Sequence, residues 1–173
     1  MSNPFALFDL PVQFQLDNAQ LSERYLSLQK QLHPDNFSAG TPQEQRLAMQ
    51  KSAEINDALH ILKDPILRAE AMIKIHTGEE KDLEKQSAKD MAFLMQQLEW
   101  RESLESIESA KNETKLTAFQ QEIELTHKQI LGQLETALSN QTWQKAFEIC
   151  DKLRFTKKLL AEIERVEEKI LGF

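Results

Sequence analysis

The sequence predicts an all-α protein, and three observations support that fold class. Four Gly and five Pro in 173 residues leave little room for the turns of a sheet-rich fold. Apolar residues recur at steps of three and four through most of the chain, which is the spacing of a buried helix face. Helix-capping residues stand at the starts of these stretches. With 40% hydrophobic residues, the chain can bury one or two modest cores.

Capping residues and prolines divide the first half of the chain into helices. The apolar segment 3–10 predicts a first helix of one or two turns. A second helix begins with Asp17 as its N-cap and ends at His33, because Pro34 disfavours helical backbone in the residue before it. Thr41 to Glu44 form a capping box with Thr41 as the N-cap, so a third helix begins at about Pro42, its first helical position.

The second and third helices are predicted to lie antiparallel. Asp64 and Pro65 end the third helix and begin a fourth, and Gly78 is a typical residue to close that one. The tripeptide His33-Pro34-Asp35 then lies at the tip of a helix–loop–helix hairpin. It places an imidazole and a carboxylate on a polar, exposed and stiff loop.

The second half predicts three longer helices after a charged linker, 78–86. They extend from Ser87 to about Lys111, from about residue 113 to 138, and from about residue 142 to 171. Short loops join them, which favours an antiparallel three-helix bundle. The expected organisation is therefore an N-terminal domain, 1–77, the linker, and a C-terminal bundle, 87–173.

The first of these three helices carries apolar residues on two faces about 160° apart. One face is assigned to the bundle core: Phe93, Trp100, Leu104 and Ile107. The other is flanked by Glu99 and Glu102 and consists of Met91, Leu94, Met95 and Leu98. A helix in a small bundle normally buries one face, so the second face either packs against the first domain or the linker, or binds a partner.

Composition excludes several classes of function. The net charge of −7, without a Lys/Arg cluster, argues against a nucleic-acid or anionic-membrane partner. Cys150 has no second cysteine to pair with, which favours a reducing compartment. No apolar run approaches the roughly 18 residues of a membrane span, so we expect the cytoplasm. His60, His76 and His127 lack ligand spacing, and we expect neither a metal nor a cofactor.

Residues around the loop add a family resemblance. The N-terminal seventy-odd residues resemble the J-domain, whose signature is His33-Pro34-Asp35 between two antiparallel helices. Flanking residues match J-domain core and turn positions: Tyr25, Leu28, Phe37, Ile55-Asn56-Asp57-Ala58-Leu59, Leu62, Asp64-Pro65 and Arg68. The remainder resembles the HscB co-chaperones of iron–sulfur cluster assembly, in segments 93–102, 152–155 and 171–173.

The resemblance implies a co-chaperone without a catalytic site of its own. J-proteins stimulate ATP hydrolysis by a seventy-kilodalton chaperone, here one of the HscA type. The residues implied to bind it are His33, Pro34, Asp35, Arg24 and Lys30. The C-terminal bundle is implied to hold an IscU-type scaffold protein, and the face of Met91 to Leu98 is then favoured as a partner surface. The implied scaffold contacts are Leu94, Met95, Leu98, Glu99, Glu102 and Phe155.

Alternative functions remain beside this one. An acid–base dyad of His33 and Asp35 is disfavoured, because no nucleophile, metal set or Gly-rich phosphate loop accompanies the pair. A pure adaptor would bind client and chaperone without stimulating turnover. A generic J-protein would serve many unfolded chains. Asn36 stands where many J-domains carry a basic residue, which favours a dedicated chaperone over a general one.

Overall fold

A computed structural model describes residues 3–78 and 90–172, and every regular element in those ranges is helical. This confirms the all-α fold class. The chain divides into two compact units, Met1–Gly78 and Glu79–Phe173. Apart from Gly78, the predicted linker lies outside the described residues.

The described part of the first unit contains four α-helices and one 3-10 turn. In chain order they are α1 (Pro4–Leu7), α2 (Asn18–Gln31), the 3-10 helix Pro34–Phe37, α3 (Pro42–Lys63) and α4 (Pro65–Thr77). The short first helix, the hairpin and the fourth helix all follow the predicted order. Helix α2 ends two residues before His33, with Leu32 as its C-cap.

Capping side chains fix where α2 and α3 begin. Asp17 Oδ1 accepts hydrogen bonds from the backbone N–H groups of Ala19 and Gln20, at 3.0 and 3.1 Å. Thr41 Oγ1 accepts one from the N–H of Glu44 at 3.1 Å. The first turn of a helix leaves N–H groups without partners, and these side chains satisfy them. Both predicted N-caps are therefore confirmed.

The core of the first unit joins the N-terminal segment to the hairpin and to α4. Its buried apolar residues are Phe5, Phe8, Leu10, Leu21, Ala48, Ile55, Ala58, Leu62, Ile66, Ala69, Met72 and Ile73. Asp64 joins α3 to α4 and caps the latter, accepting from the N–H of Ile66 at 2.8 Å. Gly78 ends α4 as predicted, with a φ of 79° that favours glycine.

Polar side chains also tie α2 to α3, and we call this set the α2–α3 ladder: Tyr25, Gln29, Ser52 and Asn56. Tyr25 Oη donates to Asn56 Oδ1 at 2.7 Å, and Gln29 Nε2 donates to the same oxygen at 3.0 Å. Ser52 Oγ donates to Gln29 Oε1 at 2.8 Å. Later residues of α2 thus contact earlier residues of α3. The two helices are therefore antiparallel, and these bonds fix their register.

The described part of the second unit is a bundle of three long helices: α5 (Met91–Ala110), α6 (Glu113–Ser139) and α7 (Trp143–Leu171). Two ion pairs join α7 to the two ends of α5. Lys152 Nζ lies 2.9 Å from Asp90 Oδ2, and Lys169 Nζ lies 3.0 Å from Glu108 Oε1. Helices α5 and α7 therefore run in the same direction, with α6 antiparallel to both.

Side chains from all three helices form the core of the bundle. One buried cluster consists of Trp100, Leu104, Ile107, Leu116, Phe119, Ile123, Leu159, Ile163 and Val166. Cys150 is also fully buried, as expected for a small apolar side chain. The described α5 begins at Met91, with Asp90 Oδ1 accepting from the N–H of Phe93 at 3.0 Å. This N-cap lies three residues after the predicted one, Ser87, which is outside the described residues.

Candidate functional site

The His33-Pro34-Asp35 loop leaves α2 and opens the 3-10 helix. His33 has φ −57° and ψ 136°, outside the helical region, as Pro34 requires. His33 Nδ1 accepts a hydrogen bond from the backbone N–H of Asp35 at 3.2 Å and lies 3.4 Å from Asp35 Oδ2. The side chains of His33 and Asp35 nevertheless remain 59% and 90% exposed. The carboxylate is thus open to an approaching partner.

Hydrogen bonds from outside the tripeptide hold the loop in place. Asn36 Nδ2 donates to the carbonyls of Lys30 and Gln31 at 2.8 and 3.1 Å. These belong to the last turn of α2, whose carbonyls lack partners within the helix. From α3, Gln45 Nε2 donates to the carbonyl of Phe37 at 3.0 Å. The loop is therefore fixed to both helices without using the carboxylate of Asp35.

The two basic residues predicted to accompany the loop differ in their surroundings. Lys30 is exposed in the last turn of α2. Arg24 is partly buried, and its guanidinium donates to the carbonyl of Phe8 at 2.8 Å and to that of Asp9. Arg24 therefore stabilises the turn after α1, where Asp9 has a positive φ of 52°. The two basic side chains also lie about 120° apart around α2, so a shared role in binding a chaperone stays a prediction.

Helix α5 exposes one apolar face and buries the other. We call the exposed face the α5 patch: Met91, Leu94, Met95 and Leu98. Their side chains are 41 to 64% exposed, whereas Trp100, Leu104 and Ile107 on the core side are 5 to 7% exposed. Glu99 and Glu102 are exposed beside the patch. Three of the four residues predicted for the core face are therefore buried, and the opposite face is exposed, whereas the fourth, Phe93, is only partly buried. The role of the exposed face as a partner surface stays a prediction.

Phe155 comes from α7 and packs against aromatic rings of α5. Its ring centroid lies 5.9 Å from that of Phe93, edge to face, and 6.1 Å from that of Trp100, nearly parallel. Phe93 and Trp100 are 6.1 Å apart. Phe93 and Phe155 are only partly buried over the core. Phe155 thus contributes to the packing of α5, and its contact with a scaffold protein stays a prediction.

Two cations cover this aromatic cluster, and neither was among the predicted site residues. The guanidinium carbon of Arg101 lies 5.3 Å from the ring centroid of Phe155, and Lys152 Nζ lies 5.5 Å from that of Phe93. Lys152 also donates to Asp90, which lowers the pKa of that carboxyl, as does the N–H of Phe93. The three-residue spacing of Lys152 and Phe155 was a signal in the sequence, but its meaning depends on α5 lying alongside α7.

The described residues contain neither a metal-binding cluster nor a membrane-spanning helix. Within residues 3–78 and 90–172 there is no group of three His, Cys, Asp or Glu side chains able to hold a metal ion. Within the same ranges, none of the helices combines the length and the apolar character needed to cross a membrane.

Comparison with known proteins identifies the family. A family model described as the HSCB C-terminal oligomerisation domain matches residues 89–164. A co-chaperone protein HscB homolog of Pasteurella multocida is 62% identical over 171 residues, covering 99% of each chain. One of Haemophilus influenzae is 58% identical over 98% of each.

A solved structure agrees with these relatives. The chaperone HscB from Vibrio cholerae superposes with a TM-score of 0.85 at 39% identity, covering 98% of this chain and 99% of the other. The high identity of the relatives extends over nearly their whole length. The protein therefore belongs to the HscB family of co-chaperones.

Proposed function

We propose that this co-chaperone stimulates ATP hydrolysis by a dedicated HscA-type chaperone and delivers an IscU-type iron–sulfur scaffold protein to it. The observation that carries the proposal is the presence of two exposed surfaces of different chemistry on two separate units. The first unit presents a charged loop, and the second presents the apolar α5 patch. A protein that brings two partners together needs two such surfaces.

The loop is assigned to the chaperone. Asp35 presents a carboxylate to solvent, and an arginine on a partner can bind it by charge-assisted hydrogen bonds. Lys30 adds a positive charge one turn before the loop and would favour an acidic surface nearby. Because Asn36 and Gln45 hold the loop through backbone carbonyls, its geometry is set before the partner arrives. Such preorganisation lowers the entropy cost of binding.

The α5 patch is assigned to the scaffold protein, together with Phe155. Exposed apolar side chains rimmed by charge commonly mark protein interfaces. Glu99 and Glu102 make the rim acidic, so the complementary surface would be apolar with basic residues around it. In this proposal residues 1–77 act on the chaperone, 87–173 hold the client, and 78–86 link the two activities.

The proposal also places the protein in the cytoplasm. Its one cysteine, Cys150, is buried, and the sequence offers no second cysteine with which it could form a disulfide. A reducing compartment suits a chain that uses no disulfide.

Steady-state ATP hydrolysis by a purified HscA-type chaperone tests the proposal. The rate is measured alone, with this protein, with an IscU-type scaffold, and with both. We expect stimulation by this protein, and a further rise when the scaffold is added. Binding of both partners without any change in the hydrolysis rate would instead identify an adaptor. Equal stimulation with unrelated unfolded chains would identify a generic J-protein.

A further inference from the structure

The outer face of α6 is exposed and uncharged along most of the helix. Its central residue, Leu125, is 59% exposed. Leu125 lies about 180° around α6 from the core residues Leu116 and Leu134, because nine residues make two and a half helical turns. We call this surface the α6 face, and all its residues are exposed and within about 40° of Leu125: Thr114, Ala118, Gln121, Leu125, Gln129, Gly132 and Thr136.

The α6 face contains a glycine that the packing of this chain does not require. Gly132 lies in the interior of α6, where glycine is less favourable than alanine. A Cβ atom placed on Gly132 would have no atom of the described chain within 4 Å. A missing side chain does allow a second backbone to approach closely. Gly132 therefore offers a close-approach point to another helix.

Thr136 adds apolar area next to this point. Its Oγ1 donates a hydrogen bond to the carbonyl of Gly132 at 3.1 Å. The hydroxyl is thus satisfied by its own helix and needs no partner from outside. The side chain can offer its methyl group to a neighbouring molecule.

The residues of the α6 face are arranged symmetrically about Leu125. Glutamines stand four residues before and after it, small residues stand seven before and after, and threonines stand eleven before and after: Gln121 and Gln129, Ala118 and Gly132, Thr114 and Thr136. Two antiparallel helices related by a twofold axis at Leu125 would bring the members of each pair level with each other. The face is thus complementary to itself, as a twofold dimer interface requires.

The charges beside the α6 face follow the same symmetry with opposite signs. Glu122 precedes Leu125 by three residues and Lys128 follows it by three, each about 60° around the helix from it. Both are exposed, and within residues 3–78 and 90–172 neither takes part in an ion pair. In the antiparallel pair, Glu122 of one copy is level with Lys128 of the other, and this happens twice. Charge complementarity therefore favours a second copy of the same chain as the partner.

We propose that the α6 face joins two copies of this protein in an antiparallel dimer with twofold symmetry. The two Leu125 side chains meet at the axis, and Ala118 of each copy packs on Gly132 of the other. Contact extends over about 33 Å of helix, from Thr114 to Thr136. The α5 patch is on another helix, so each copy keeps its own and the inference does not rest on the proposed function.

Charge reversal tests the dimer. Sedimentation equilibrium of the full-length protein gives its dissociation constant, which we expect to be below about 1 mM. Glu122→Lys would oppose lysine to lysine at two places, and Lys128→Glu would oppose glutamate to glutamate. Each variant should raise the dissociation constant by about tenfold or more. The double variant Glu122→Lys/Lys128→Glu restores opposite charges and should return close to the wild-type value.

A mixture of the two single variants tests the symmetry directly. In a mixed dimer, the Glu122→Lys copy supplies two lysines and the Lys128→Glu copy supplies two glutamates. Both contacts then pair opposite charges, so the mixture should associate more strongly than either variant alone. Glu164→Lys on α7 is the matched control, since it removes an exposed carboxylate and changes the net charge by as much as Glu122→Lys. It should stay within about twofold of the wild type.

Several outcomes would overturn the inference. One is a wild type that sediments as a monomer at every concentration up to about 1 mM. Others are an unchanged dissociation constant in both single variants, an equal effect of Glu164→Lys, or no recovery in the double variant and the mixture. If a charge variant melts at a lower temperature, Leu125→Gln replaces it, because glutamine is a good helix former. Dimerisation of Leu125→Gln with wild-type affinity would then exclude the α6 face.

Discussion

His127 Nδ1 lies 2.6 Å from Thr156 Oγ and joins α6 to α7 inside the bundle. Thr156 is fully buried, and its hydroxyl also donates to the carbonyl of Leu153 at 3.1 Å. A hydroxyl has a single hydrogen, and the bond to Leu153 uses it. In the bond between His127 and Thr156, Nδ1 of His127 must therefore be the donor. Burial lowers the pKa of His127, and the positive charge of Lys157 lowers it further. The neutral imidazole is therefore the form that the folded bundle favours.

The lowered pKa of His127 predicts a pH-dependent stability. Above about pH 6.5, the ordinary pKa of histidine, the ring is neutral in both folded and unfolded protein. As pH falls below that value the unfolded chain takes up the proton first, so stability decreases until the lowered folded pKa is passed. Thermal melting of the wild type and of His127→Gln between pH 7.5 and 5 checks this. The carboxylates contribute equally to the pH dependence of the melting temperature in the two proteins. Identical slopes of melting temperature against pH would therefore contradict the prediction.

Asp35→Asn should abolish most of the stimulation of the chaperone and leave folding unchanged. The side chain is 90% exposed, so its charge adds little to stability. A charge-assisted hydrogen bond at the interface would be worth about 1.5–3 kcal/mol. Steady-state ATP hydrolysis and the melting temperature measure the two effects. Asp57→Asn, an exposed carboxylate on α3, is the control and should stimulate normally. Normal stimulation by Asp35→Asn would remove the loop from the mechanism.

Asn36→Ala should loosen the loop. It removes the two hydrogen bonds from Asn36 Nδ2 to the end of α2. Since the carbonyls they satisfy are exposed to water, we expect a loss of about 1 kcal/mol in the free energy of unfolding. Backbone amides of residues 35–38 should exchange with solvent faster than in the wild type. Unchanged exchange would mean that Pro34 and Gln45 are sufficient to hold the loop.

The α5 patch should be needed for binding the scaffold protein and not for folding. Replacing Leu94, Met95 and Leu98 together by Ala should weaken binding of the scaffold protein and barely change the melting temperature, because these side chains are substantially exposed. Leu104→Ala, on the buried face of the same helix, should cost about 2–5 kcal/mol of stability. Urea denaturation and calorimetric titration with the scaffold distinguish the two. A large loss of stability in the triple variant would show that the patch packs against this chain.

Interactions between residues close in sequence were predictable. The caps at Asp17 and Thr41 span two or three residues, so the residue types and their spacing were sufficient to locate them. The effect of Pro34 on His33 is equally local. The two faces of α5 followed from its periodicity, because successive side chains of a helix are rotated by about 100° around its axis.

Interactions between distant residues were not predictable in the same way. The donation from Arg24 to Phe8 joins residues 16 positions apart, and the contact of His127 with Thr156 joins residues 29 apart. Arg101 meets Phe155 only because α5 packs alongside α7. Each of these depends on how helices pack, which a periodic pattern does not specify. The position of Asn36 was visible in the sequence, but its hydrogen bonds to the end of α2 were not.

The opposite faces of α5 also affect how this protein can evolve. Trp100, Leu104 and Ile107 constrain one side of the helix, since any change there disturbs the bundle. On the other side, Leu94, Met95 and Leu98 can be exchanged without a compensating change elsewhere. Selection can therefore alter partner preference one side chain at a time in a chain that continues to fold. The outer surface of α5 is a natural starting point for redirecting such a co-chaperone to a different client.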